Sequence, residues 1–310
     1  MFSIPENATL VNINMEFSLW IVIASIVVGI VGTFTAFSCE ARAGQNILIT
    51  KTLWNWLASI SLAIGVWVLH FIGMAAIRMP VTMSHDIGLT VVSLLPALLA
   101  AFIAFYVINL PRKGFALYVL ASVTMGIGVT CMHLIGIYAM TFDGIQYSFE
   151  PLLFFASIAI SIISSFVALY TLSSVKKHLM MTLTVRIIAA VFLGIAVAVL
   201  HYGNMLSMKF YISPDKVASH GVMGAMEMHF LAAGLAIGIV VILMLLLLTT
   251  LFDHYIEKRM NYFDPLTRIP NYRMFQERME SSVKAQAIAI WHLDDLESYS
   301  SDYGYAFVDR

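Results

Sequence analysis

Seven stretches of this chain are each long and apolar enough to cross a bilayer, and that count constrains its fold more than any other feature. A spanning helix needs roughly 20 predominantly apolar residues. Phe17–Ser38, Leu53–Ile77, Ile87–Leu110, Phe115–Met140, Leu152–Ser173, Leu183–Met208 and Met228–Phe252 all qualify. Turn and polar residues separate them, as at Pro111-Arg112-Lys113-Gly114 and Asp143-Gly144. Composition agrees: 60% of the 310 residues are apolar and 11% are charged, against about 25% charged in soluble chains. The expected fold is an all-α polytopic membrane protein with seven transmembrane helices over residues 17–252, followed by a short cytoplasmic α/β fragment. A net charge of −1 without a basic block gives no reason to expect a nucleic-acid partner.

Lys and Arg in short loops set the orientation. Arg42 and Lys51 follow the first span, Arg112 and Lys113 the third, Lys176 and Lys177 the fifth, Lys258 and Arg259 the seventh. The opposite loops carry Arg78, Lys209 and Lys216 among Asp86, Asp143, Glu150, Asp215 and Glu227. The expectation is an N-terminus outside and a cytoplasmic C-terminus. On that topology Cys39 and Cys131 lie on opposite sides of the membrane and do not pair. Met1–Glu16 lacks the positive start and cleavage pattern of a signal peptide, so the first span is expected to act as the insertion signal.

An internal period reorganises the reading. The second, fourth and sixth spans end in related segments centred on His70, His133 and His201, which are 63 and 68 residues apart. Two helices per repeat return each unit to the same orientation, so the three imidazoles are expected at one depth, near the outer end. Met74 and Met205 follow their histidines at i+4, and Met140 and Met208 follow at i+7, on the same helix faces. Ala63, Gly126 and Gly194 lie seven residues before the histidines, and small residues let membrane helices approach closely. His85, His220, Met223 and His229 add to the same side, with His229 a further candidate ligand. One histidine near an interface is ordinarily a helix-end or interhelical polar group; three in register are either a duplicated packing device or a site. Imidazole with thioether suits copper, particularly Cu(I). Two histidines on facing helices with glycines nearby also suit haem.

The arrangement resembles the MHYT domain, a bacterial membrane sensory module built from such repeats. The tetrads here read Leu69-His70-Phe71-Ile72, Met132-His133-Leu134-Ile135 and Leu200-His201-Tyr202-Gly203: the histidines stand and the flanks vary. The resemblance covers about Phe17 to Phe252. It implies a copper site near the outer face that senses oxygen, carbon monoxide or nitric oxide, in a multi-pass protein of the bacterial inner membrane.

After a charged connector at residues 253–263, the segment Asp264-Pro265-Leu266-Thr267-Arg268-Ile269-Pro270-Asn271-Tyr272-Arg273 resembles the opening of GGDEF diguanylate cyclase domains. Arg268 stands where that family has Gly, and Tyr272 where it has Arg. Ala287–Trp291 reads as a first core strand. His292, Glu297 and Ser300 fall where the family carries a metal Asp, a basic residue and a substrate Asn. No Gly-Gly-Asp-Glu-Phe loop occurs before Arg310, so residues 264–310 are expected to be a truncated, degenerate fragment without cyclase activity.

The combined expectation is a membrane sensor with His70, His133 and His201 as principal metal ligands and Met74, Met140, Met205, Met208 and His229 as further candidates. Its expected partners are membrane lipid and a diatomic gas, with homodimerisation left open and a cyclic-di-GMP-type output downstream. The rivals are a copper or other ion transporter and a haem electron-transfer protein. The apolar cytoplasmic halves of the histidine-bearing helices argue against a conducting path.

Overall fold

The computed structural model describes residues 11–13, 15–43, 50–78, 83–110, 114–142, 145–175, 183–212, 225–264, 267, 269–281 and 287. It divides into two units, Met1–Thr249 and Thr250–Arg310. Among the described residues seven helical spans are long and apolar enough to cross a membrane, six within the first unit and the seventh running from it into the second. These are α1 (Leu19–Arg42), α2 (Lys51–Ala75), the pair α3 (Ile87–Val92) and α4 (Leu94–Ile108), α5 (Phe115–Tyr138), α6 (Pro151–Val175), α7 (Leu183–Ser207) and α8 (Ala225–Tyr262).

The third span is expected as one helix and is broken at Ser93. Pro96 has no N–H for the carbonyl of Val92, so the ladder lapses there. Trp67 of α2 secures the break: its Nε1 donates to Thr90 O at 3.0 Å and Ser93 Oγ at 3.1 Å.

Six spans close a ring in which α1 packs on α2, α2 on α4, α4 on α5, α5 on α6, α6 on α7, and α7 on α1. Helices α2, α5 and α7 also touch one another. The second helix of each two-helix repeat therefore lies inside, with the first beside it. Small residues set these contacts. Gly126 of α5 faces Ile162 of α6, and Gly194 of α7 faces Ile30 of α1, so these positions seat an inner helix against a neighbouring repeat. Five residues before the histidine, Gly65 meets Gly32 of α1 within its own repeat. A Cβ at Gly32 would lie 2.7 Å from Gly65 Cα, and the reverse gives 2.9 Å. Gly65→Leu is expected to cost at least the ~1–3 kcal/mol of core overpacking, a fall of about 5–10 °C in the melting temperature in detergent. An unchanged melting temperature would contradict this backbone-to-backbone contact.

Among the described residues, seven short strands, not anticipated from the sequence, lie at the histidine ends of these helices. They are β1 (Val11–Ile13), β2 (Glu16–Phe17), β3 (Ile77–Arg78), β4 (Met83–His85), β5 (Met140–Phe142), β6 (Ile145–Phe149) and β7 (Met208–Ile212). Their pairing follows the repeat. Antiparallel β2–β3 joins the start of α1 to the end of α2, β4–β5 joins the start of α3 to the end of α5, and β6–β7 joins the start of α6 to the end of α7. Each helical hairpin is thus clipped across its open end, and β1 adds a third strand on β7.

Helix α8 stands apart, with 11% of its most apolar window buried against 78% for α2. Gly234 and Gly238 lie against Trp67, Val68 and Ile64 of α2.

In the second unit, Asp264 Oδ1 accepts from Thr267 N at 2.7 Å and Thr267 Oγ1 at 2.8 Å. Asn271 Oδ1 accepts from Met274 N at 3.1 Å, capping α9 (Tyr272–Ser281). The part of the expected GGDEF-like fragment beyond Ser281, including the strand expected at Ala287–Trp291, lies outside the described residues save Ala287.

Candidate metal centre

Each of the three inner helices delivers one imidazole to the bundle axis. His70 of α2, His133 of α5 and His201 of α7 are 1%, 1% and 2% exposed. Their Nδ1 atoms form a triangle with edges of 3.1 Å (His70 to His201), 3.1 Å (His70 to His133) and 3.3 Å (His133 to His201). The rings stand nearly perpendicular to one another, at 86°, 88° and 88°, with centroids 5.0–5.2 Å apart. This is a threefold propeller built by a threefold repeat.

Hydrogen bonding alone cannot satisfy such a triangle. Each Nδ1 is either a protonated donor or an acceptor. With two states and three corners, at least one edge must join two donors or two acceptors. The Nε2 atoms offer no relief. All three are buried without a hydrogen-bond partner, with His201 Nε2 against the Gly73 backbone at a geometry short of a bond. Leaving such groups unpaired in an apolar interior costs about 1–3 kcal/mol each, a cost that stands whether or not an ion sits on the Nδ1 atoms, so the choice between a packing device and a site rests on the Nδ1 triangle alone.

A cation at the centre fits it. A metal bound to imidazole at about 2.0 Å places tetrahedral ligand nitrogens about 3.3 Å apart, close to the observed edges. An ion there would have all three Nδ1 atoms as its candidate ligands. For the haem alternative, the Nδ1 atoms lie 3.1–3.3 Å apart, which leaves no room for a macrocycle between any two of them. Among the described residues these three form the one group of His, Cys, Asp or Glu spaced to hold a metal ion.

The sequence-predicted methionines come together elsewhere. Met74, Met140, Met205 and Met208 are all buried in one apolar cluster with Ile77, Ile137, Phe149, Phe154 and Phe210. These residues sit at and just beyond the histidine ends of the helices, partly on β3, β5, β6 and β7. His229 is exposed near the start of α8 and outside the triad.

Three supporting positions escaped the sequence reading. Gly73 lies against the His201 ring, and Gly136 against the His70 ring. Both follow their own histidine by three residues, which was the available signal. In α7 that position is Asn204, fully buried; its Oδ1 accepts from Ser157 Oγ at 2.8 Å and its Nδ2 has no partner.

Comparison with known proteins gives the following. The profile of a bacterial signalling protein N-terminal repeat, MHYT, matches residues 64–121 and 126–185, which hold His70 and His133. Cyclic di-GMP phosphodiesterase NbdA of Pseudomonas aeruginosa is 30% identical over 196 residues, covering 63% of this chain and 25% of its own length. The bifunctional diguanylate cyclase/cyclic di-GMP phosphodiesterase MucR of the same organism is 25% identical, covering 92% of this chain and 44% of its own. Signaling protein YkoW of Bacillus subtilis is 24% identical, covering 67% and 26%. The chain therefore spans between a quarter and under half of the length of these relatives. No solved structure matches it significantly.

Proposed function

Because this chain carries MHYT repeats within a bundle of membrane-spanning length, we propose that it is a multi-pass sensor of the bacterial inner membrane. Its ligand is a diatomic gas, oxygen, carbon monoxide or nitric oxide, received at a copper ion held by His70, His133 and His201. The histidine end faces outward and the basic loops face the cytoplasm. The observation that carries the reading is the closed triangle of three Nδ1 atoms with edges of 3.1–3.3 Å.

Copper is preferred because imidazole suits it and because four buried methionines follow the histidines in sequence, Met74 and Met205 at i+4 and Met140 and Met208 at i+7. Bound there, it would supply an open coordination position of tunable redox state. The protein's own part is to hold three lone pairs at fixed spacing, to exclude water by burial, and to cover the site with an apolar layer that neutral gases cross more readily than ions. Met74, Met140, Met205 and Met208 form that layer, with one thioether as the candidate fourth ligand.

The signal leaves through α8, which rests on the His70-bearing helix at Gly234 and Gly238. Occupancy of the triad biases the packing of α2, and α8 follows. The relatives' names point to cyclic-di-GMP turnover as the output. A GGDEF-type domain after residue 264, and any second copy of the chain, belong to this proposal.

The test is elemental analysis and spectroscopy of protein purified under copper-replete conditions. About one copper per chain is expected, as three converging imidazoles make one site, with absorption that shifts under carbon monoxide or nitric oxide. A Soret band would replace copper with haem. Copper-free protein that takes up none on titration would end the reading.

A further inference from the structure

The residue three places after each histidine is turned toward the imidazole of another repeat. Gly73 of α2 lies against Nε2 of His201 on α7, and Gly136 of α5 lies against Nε2 of His70 on α2. The same step taken from α7 runs from Asn204 to His133 on α5 and closes the cycle. There the repeat departs from its own pattern, because an amide stands where the other two helices have glycine. We infer that Asn204 is the positioning residue of His133, accepting a hydrogen bond from its Nε2–H and keeping its Nδ1 as a lone pair.

Counting hydrogens around Asn204 decides which end of the amide is available. Ser157 Oγ of α6 lies 2.8 Å from Asn204 Oδ1 and 2.8 Å from Phe154 O. A serine hydroxyl has one hydrogen to give and two lone pairs, so it cannot fully serve both oxygens. Asn204 Nδ2, with two hydrogens, has no partner. A half-turn of the amide removes both faults, since its two ends differ little in shape. Nδ2 then donates to Ser157 Oγ, Ser157 Oγ donates to Phe154 O, and Oδ1 takes the place that Nδ2 leaves. Asn204 is fully buried, so this oxygen needs an N–H from the protein.

His133 can supply it. Its ring is 1% exposed and its Nε2 is buried without a partner, and α5 and α7 touch. With Nδ2 on the side away from Ser157, neither group is satisfied; with Oδ1 there, the two are donor and acceptor. Each relieved group recovers a penalty of about 1–3 kcal/mol. His70 and His201 have no equivalent, because the glycine facing each of them offers no side-chain acceptor.

The bond has a consequence at the other ring nitrogen. A neutral imidazole carries its hydrogen on one nitrogen, and the bond made there fixes the other as the ligand. Held through Nε2–H, His133 is always an acceptor corner of the Nδ1 triangle, while His70 and His201 keep both tautomers. The triad is therefore two plus one in its chemistry, although nearly equilateral in its spacing. The role of Asn204 in metal binding rests on the metal reading of the triad; the hydrogen bond itself does not.

The experiment uses the full chain in mild detergent, isotopically labelled at the histidine nitrogens and observed by NMR without metal. His133 is identified by the signal that His133→Ala removes. Wild type should show it as a single Nε2–H tautomer with the hydrogen protected from exchange. Asn204→Leu should lose that protection and mix the two tautomers, whereas Asn204→Asp, which keeps an oxygen acceptor, should retain the Nε2–H form. Asn204→Gly, the residue of the other two repeats, replaces Asn204→Leu if that variant fails to fold. On titration with Cu(I), Asn204→Leu should bind about 10–100-fold more weakly than wild type, with Asn204→Asp close to wild type. An Nδ1–H or mixed His133 in metal-free wild type overturns the inference. So does an unchanged Nε2–H signal in folded Asn204→Leu or Asn204→Gly. Failure of the metal reading looks different: no form of the protein takes up copper, and the tautomer of His133 still decides the bond.

Discussion

Replacing any one of His70, His133 or His201 with alanine is expected to abolish stoichiometric copper binding and, with it, the thermal stabilisation that copper confers. Each imidazole supplies one corner of a three-nitrogen site, and two corners do not hold an ion against competing chelators. Saturation of wild type at a thousandfold excess over Kd should add about 4 kcal/mol of stability. All three variants should lose that increment together, since the Nδ1 triangle is nearly equilateral. The comparison that separates a metal site from a packing device is the copper-free state. If the rings only packed, alanine would simply lower the melting temperature and copper would move neither protein. If they bind, copper raises the wild type selectively. Equal copper content in wild type and all three variants would remove the assignment.

The second large effect is expected at residues that bear no ligand atom. A methyl group at Gly73 collides with Nε2 and Cδ2 of His201, and one at Gly136 with the same atoms of His70. The obstacle is an imidazole already enclosed by the bundle, so the ring must tilt and carry its Nδ1 out of the triangle. Gly73→Ala and Gly136→Ala should each weaken copper binding about 10–100-fold, the range seen when the support of a ligand is disturbed. Helix content by circular dichroism should stay at the wild-type value. Copper affinity within twofold of wild type in both variants would show that the rings have slack, and the argument from fixed spacing would fail.

Much of this arrangement was legible because it rests on long-range periodicities. Apolar length alone marks the seven spans, and the spacing of His70, His133 and His201 marks the repeat. The small residues before the histidines were also readable, and Gly126 and Gly194 do seat neighbouring helices. What the sequence hid was local and short. Strands of two to five residues such as Glu16–Phe17 and Ile145–Phe149 carry too little alternation to stand out. The break at Ser93 did have a signal, Pro96 three residues on, although the apolar run continues across it and reads as one span. The roles of Gly73 and Gly136 depend on which neighbouring ring each one faces, a matter of helix rotation.

The strand clips have a mechanical consequence. A helical hairpin joined by a loop at one end and by paired strands at the other is shut at both ends, so its two rods cannot scissor. Three such stiff bodies meet at a hub made of His70, His133 and His201. On the proposed sensor reading, ligand arrival would tighten or relax this hub by a few tenths of an ångström, a change that side chains wedged this closely cannot soak up. Whole hairpins must pivot instead, and a small displacement at the fulcrum grows along the length of each rod toward the far surface.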